Sequence, residues 1–202
     1  TATITDNDTA GVTVVESAGS TAVTEGGATD SYTVVLTSQP TANVAIALAV
    51  SPQLSTAPSN LTFTAANWNL AQTVTVTATD DALVEGAHSG AINQSASSSD
   101  PNYSAISVAS VNASISDNDS AVVNFAPIAV SQSEASSPMA FTVTLSNPVA
   151  SGVTLTLNSA NGSAGAADYT PITNATVSFA ASSTTAQTVN VAITNDALDE
   201  AN

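Results

Sequence analysis

At 202 residues the chain has room for one or two domains, and its 16 acidic residues face no lysine or arginine, for a formal net charge of −16. That balance excludes electrostatic attraction to nucleic-acid phosphates or anionic lipid headgroups and favours cations as partners. A 43% hydrophobic content is too apolar for a disordered acidic tail, there is no cysteine for disulfide or thiol chemistry, and the apolar runs are too short to span a bilayer.

Taken in chain order, residues 1–8, "TATITDND", read as the terminal strand of a preceding repeat, because "ITDND" from Ile4 returns as "ISDND" from Ile115, 111 residues later. Seven strand signals follow: "GVTVVES", "DSYTVVLTS", "NVAIALAV", "NLTFTA", "QTVTVTATD", "SGAINQSAS" and "VNASISD". Each is short, rich in β-branched residues, and bounded by Gly, Pro, Ser, Asn or Asp. No helix is expected. Seven strands in about 110 residues predict an antiparallel β-sandwich of immunoglobulin type.

A second copy begins near residue 120. "SYTVVLTSQP" from Ser31 parallels "AFTVTLSNP" from Ala140, and "AQTVTVTATDDALVE" from Ala71 parallels "AQTVNVAITNDALDE" from Ala186. The expected domains are therefore 9–119, complete, and 120–202, which lacks counterparts of the last two strands. The linkers between repeats are very short, which leaves the connecting chain little slack.

Alternating strand directions put the first, third and fifth inter-strand turns and the end of the seventh strand at one pole. Glu25, Asp80, Asp81, Glu85, Asp117 and Asp119 fall there, while the opposite loops "TSQPTAN" and "TAANWNLAQ" contain no acid. Carboxylates crowded without countercharge are screened by solvent, become protonated, or bind a metal. Oxygen-only donors, with no Cys and a single His, point to Ca²⁺ rather than Zn²⁺ or copper, and Mg²⁺ demands a tighter octahedron. Solvated turns use Asp and Asn as well, so a lone "DND" is more often a turn than a ligand.

The stretches "VTEGG" (23–27), "LTFTAANWNLAQTVTVTATDDALVEG" (61–86), "ISDND" (115–119) and "GSAGAADYTP" (162–171) resemble the Calx-beta repeat, a family named for the calcium-binding domains of sodium–calcium exchangers and found in tandem arrays in bacterial surface proteins. The resemblance implies that Glu25, Asp80, Asp81, Glu85, Asp117 and Asp119 bind calcium in the first copy. In the second it implies Glu134, Asp168, Asp196 and Glu200, with Asn195 standing where Asp80 stands. The first copy departs from the pattern: its counterpart of the Asp168 loop, "SPQLSTAPSN", has no acid.

Elsewhere, His88 has no second His or Cys to share a zinc ion and reads as a surface strand residue. Trp68 reads as a cap on the core, and Tyr32, Phe63, Phe141 and Phe179 as core residues at matching repeat positions. No nucleophile, base and orienting group occur together, so no enzyme is expected. The expected function is a calcium-binding structural repeat, a rigid stalk or spacer at the bacterial cell surface, with neighbouring repeats of the same chain and other copies in a filament or matrix as the expected partners. A calcium-sensing regulatory domain and a strand-donating filament subunit are the alternatives.

Overall fold

The computed structural model describes residues 2–3, 5, 7–128, 130–165 and 167–197. They form an all-β structure whose Cα positions cluster into two units, one of residues 1–81 and 86–118 and the other of residues 82–85 and 119–202.

In the first unit one sheet has the order β1-β3-β7-β5, built from β1 (Val12–Glu16), β3 (Asp30–Leu36), β7 (Gln72–Ala78) and β5 (Leu54–Ala57). The other has the order β2-β9-β8-β4-β6, built from β2 (Thr21–Thr24), β9 (Val111–Ser116), β8 (His88–Ser98), β4 (Val44–Val50) and β6 (Asn60–Phe63). The period-two patterns explain the layering, since alternate side chains of a strand point to opposite faces. Tyr32, Val34 and Leu36 of β3 and Val74 and Val76 of β7 turn inward from the first sheet. Val44 and Ile46 of β4, Ile92 of β8, and Val111, Ala113 and Ile115 of β9 belong to the same buried cluster from the second. Each fully buried Val or Ile contributes about 1.5–3 kcal/mol. Trp68 packs on this core partly exposed, in its expected place.

The first expected strand, "GVTVVES", is β1, and the sequence reading missed the strand that follows it, β2. After β1, a 3₁₀ turn at Ser17–Gly19, with Ala18 and Gly19 at positive φ, carries the chain from one sheet to the other. There β2 pairs in parallel with β9, the only parallel strand pair among the described residues, with Thr24 opposite Ser116. Among the described residues before Val12 none is in a strand.

In the second unit β10 (Val123–Ala126), β11 (Met139–Leu145) and β14 (Gln187–Val191) form one sheet, and β12 (Val153–Leu157) pairs with β13 (Ala175–Phe179) in another. Val143, Leu145, Val177 and Phe179 are buried. Phe141, expected in the core, is only half-buried. It lines an open cleft of about 660 Å³. No helix of the described residues is long and apolar enough to cross a membrane.

Candidate metal centre

The parallel pairing of β2 with β9 creates the site in the first unit. Both strands end at the same pole, and the backbone N–H of Glu25 continues the ladder by donating to the Ser116 carbonyl at 3.1 Å. The chain then reverses in a tight turn, Thr24 N–H donating to the Ala28 carbonyl at 2.9 Å and Gly27 N–H to the Thr24 carbonyl at 3.1 Å. Gly26 takes φ +56° there, and a Cβ at this position would lie 2.9 Å from Asp80 Oδ1 and 3.0 Å from Asn118 Nδ2. Only glycine meets both demands without strain.

The turn therefore holds Glu25 against the end of β7 and the end of β9. The amide of Asn118 donates to the Glu25 carbonyl oxygen at 3.0 Å and to Asp80 Oδ1 at 3.3 Å. Asp117 Oδ2 accepts from Gly86 N–H at 2.7 Å. A Glu25 carboxylate oxygen lies within 4.8 Å of one of Asp81. Thus Glu25 and Asp81 bring carboxylate oxygens together from distant stretches of the chain, Asp80 is tied to the Glu25 turn through Asn118, and Asp117 holds the Gly86 N–H. Glu25 is 2% exposed, and the chain has no Lys or Arg to offset it. A buried carboxylate is tolerated only when protonated, paired or metal-bound. The donors are those a hard oxygen-seeking dication takes. Glu85 ends the short segment 82–85 that clusters with the second unit, where Val84 bridges Val149, and Asp119 begins that unit's longer segment.

Two residues of this pole escaped the sequence reading. Asn118, the middle of the acidic triplet, is the clamp that fixes the Glu25 turn to Asp80. His88 is not a surface residue but half-buried at the start of β8, with Nε2 3.8 Å from Glu25 Oε1. The alternation along β8 was the available signal, since it sets His88 on the face shared by the buried Gly90 and Ile92.

In the second unit Asp168 Oδ2 accepts from Gly165 N–H at 2.5 Å, and Thr194 N–H donates to the Asp168 carbonyl at 2.8 Å, which brings the Asn195 and Asp196 segment beside it. Glu134 and Asp168 share the 660 Å³ cleft, and Glu134 and Asn195 a smaller hollow. Among the described residues of this unit, no three His, Asp or Glu side chains bring ligand atoms within 4.8 Å of one another. Glu200 lies outside the described residues.

Two further acids are structural. Asp100, 3% exposed, lies beyond the far end of β8 and accepts from the N–H groups of Thr41 (2.7 Å) and Asn102 (2.9 Å). Those bonds hold its carboxyl below the usual 3.8. The Ser17 hydroxyl and the N–H groups of Ala22 and Ser31 do the same for Asp30. The "DPNY" run at 100–103 carried the signal for the first, an aspartate capping the backbone two residues on.

Residues 116–202 match the family model of the Calx-beta domain. A search of curated proteins finds no match. Among solved structures, the chain is similar to CBD12 from CALX1.2, at 14% identity over 94% of this chain and 76% of that one, with a TM-score of 0.39. It is also similar to the calcium binding domain CBD12 of CALX1.1, at 13% identity over 91% and 76%, TM-score 0.37. A third is the CsuC–CsuE chaperone–tip adhesion subunit complex of Acinetobacter baumannii, at 11% identity over 86% and 89%, TM-score 0.35.

Proposed function

We propose, from the match of residues 116–202 to the Calx-beta family model, that this chain is a non-catalytic calcium-binding module whose repeats act as a stalk or spacer in a cell-surface or secreted protein. The observation that carries the calcium reading is the Glu25 carboxylate, 2% exposed and within 4.8 Å of a carboxylate oxygen of Asp81, in a chain without Lys or Arg. Glu25 and Asp81 would hold the ion, and Asp80 lies beside the Glu25 turn, held by the Asn118 amide. Calcium supplies charge neutralisation there and no chemistry. The chain's own residues do the positioning: Asn118 pins the Glu25 turn, and Asp117 fixes the Gly86 peptide.

The stalk reading rests on the tandem repetition at 111 residues and on the short linkers. Repeats that contact only their neighbours make quasi-linear assemblies, and an ion that ties the loops at one pole of a repeat stiffens that repeat. An exterior location supplies millimolar calcium, matched to the affinity of about 10⁻⁴–10⁻³ M usual for extracellular modules.

Calorimetry and small-angle scattering, each with calcium and with chelator, test the two levels separately. The expected result is weak binding and a larger maximum dimension with calcium. No heat of binding at millimolar calcium would overturn the calcium reading. Binding with an unchanged dimension would overturn the stalk, and submicromolar affinity with a change of shape would mark a sensor instead.

A further inference from the structure

The same pole carries a nitrogen donor whose orientation is fixed. His88 Nδ1 lies 2.9 Å from the Gly86 carbonyl oxygen. A carbonyl only accepts, so Nδ1 is the protonated nitrogen, and in the neutral ring Nε2 holds the lone pair. That lone pair lies on the Glu25 side, with Nε2 3.8 Å from Oε1. The residue that orients the ring is itself held: Gly86 has φ +69°, and its N–H, in the preceding peptide, donates to Asp117 Oδ2 at 2.7 Å. Glu25 is fixed from the other side by its ladder bond to Ser116 and by the Asn118 amide.

An imidazole whose second nitrogen is tied to a backbone carbonyl is the arrangement that orients metal-binding histidines. Nitrogen and oxygen donors about 2.0–2.2 Å from one tetrahedral ion sit about 3.4 Å from each other. A closure of a few tenths of an ångström, within reach of a half-buried ring, converts the observed pair to that spacing. Imidazole suits zinc and cobalt, whereas calcium prefers oxygen.

We propose that Glu25 and His88 form a mixed-donor site for a borderline divalent ion such as Zn²⁺ or Co²⁺, adjoining the oxygen-only cluster and sharing Glu25 with it. Water completes the coordination, and Glu85, bonded directly to Gly86, is the nearest further carboxylate along the chain. Because one carboxylate serves both sites, the two classes of ion compete. The proposal goes beyond the calcium reading and does not need it.

The test is a Co²⁺ titration of the full 202-residue chain followed by visible absorption, with the imidazole NMR signals of the single histidine recorded during a parallel Zn²⁺ titration. The expected result is a saturable cobalt band with nitrogen-donor character, abolished by excess Zn²⁺ and weakened at least about tenfold in His88→Gln. The wild-type histidine signals shift with Zn²⁺, a readout that needs no variant to fold. A band unchanged in His88→Gln, no saturable band, or histidine signals indifferent to Zn²⁺ would overturn the site and leave an imidazole–carboxylate pair only. Failure to bind calcium in a separate titration leaves the cobalt result standing.

Discussion

Gly26→Ala separates the backbone requirement of the Glu25 turn from its steric one. A side chain at φ +56° sits in the left-handed region, which costs an L-residue about 1–2 kcal/mol. The steric part is cheaper for stability: the added Cβ would meet Asp80 Oδ1 at 2.9 Å, but that atom ends an exposed side chain and can rotate away. Its displacement is costly for the site instead, because Asp80 then leaves the Asn118 amide. Trp68 is the chain's single tryptophan and packs on the first unit's core, so its fluorescence reports that unit alone. With a urea m-value of about 2 kcal/mol/M, the backbone strain lowers the unfolding midpoint by about 0.5–1 M. Calcium affinity falls in the same variant, measured by calorimetry well below the unfolding midpoint. An unchanged midpoint would refute the left-handed turn, and an unchanged affinity the role of Asp80 beside it.

Tyr103 is 1% exposed, and its hydroxyl donates to the Ser38 carbonyl at 2.6 Å while accepting from Ser38 N–H at 3.1 Å. Tyr103→Phe leaves those backbone groups without the hydroxyl and is expected to cost about 1–3 kcal/mol by the same urea assay; a loss under about 0.5 kcal/mol would mean that water replaces it. Asp30 and Asp100 both have folded-state pKa values below 3.8. Their stabilisation is thus fully present above the unfolded carboxylate value and drains away as pH falls from about 4 through the depressed values. Stability of the first unit should drop in that window, and Asp100→Asn should flatten the slope; a slope equal to wild type would remove Asp100 from the account.

The two-layer fold was legible because β-branched residues alternate in β3, β7 and β9. Alternating strand direction put the acids at one pole in the sequence reading, and Glu25 and Asp81 do bring carboxylate oxygens within 4.8 Å, but it is the parallel pairing of β2 with β9 that sets Glu25 there. The separate strand β2 was not legible. "SAGSTAVT" carries no strong turn signal beyond Gly19, and only the parallel ladder to β9 makes Thr21–Thr24 a separate strand. His88 was misjudged because a lone histidine has no partner in sequence; its partners are a carbonyl two residues back and a carboxylate 63 positions away, both set by β8. Phe141 was read as core by analogy with Tyr32, but it lines the open cleft of the second unit instead.

The most direct test of calcium at the Glu25 pole is the urea midpoint of the first unit, read from Trp68, as a function of calcium. A ligand that binds only the folded state stabilises it by RT ln(1 + [L]/Kd). At about 10 mM calcium and a Kd of about 10⁻⁴–10⁻³ M this is about 1.4–2.7 kcal/mol. The account predicts that rise in the wild-type chain and its loss in Asp81→Asn, an exposed position where the substitution itself is tolerated. A midpoint indifferent to calcium in the wild type, or a rise that survives in Asp81→Asn, would contradict it.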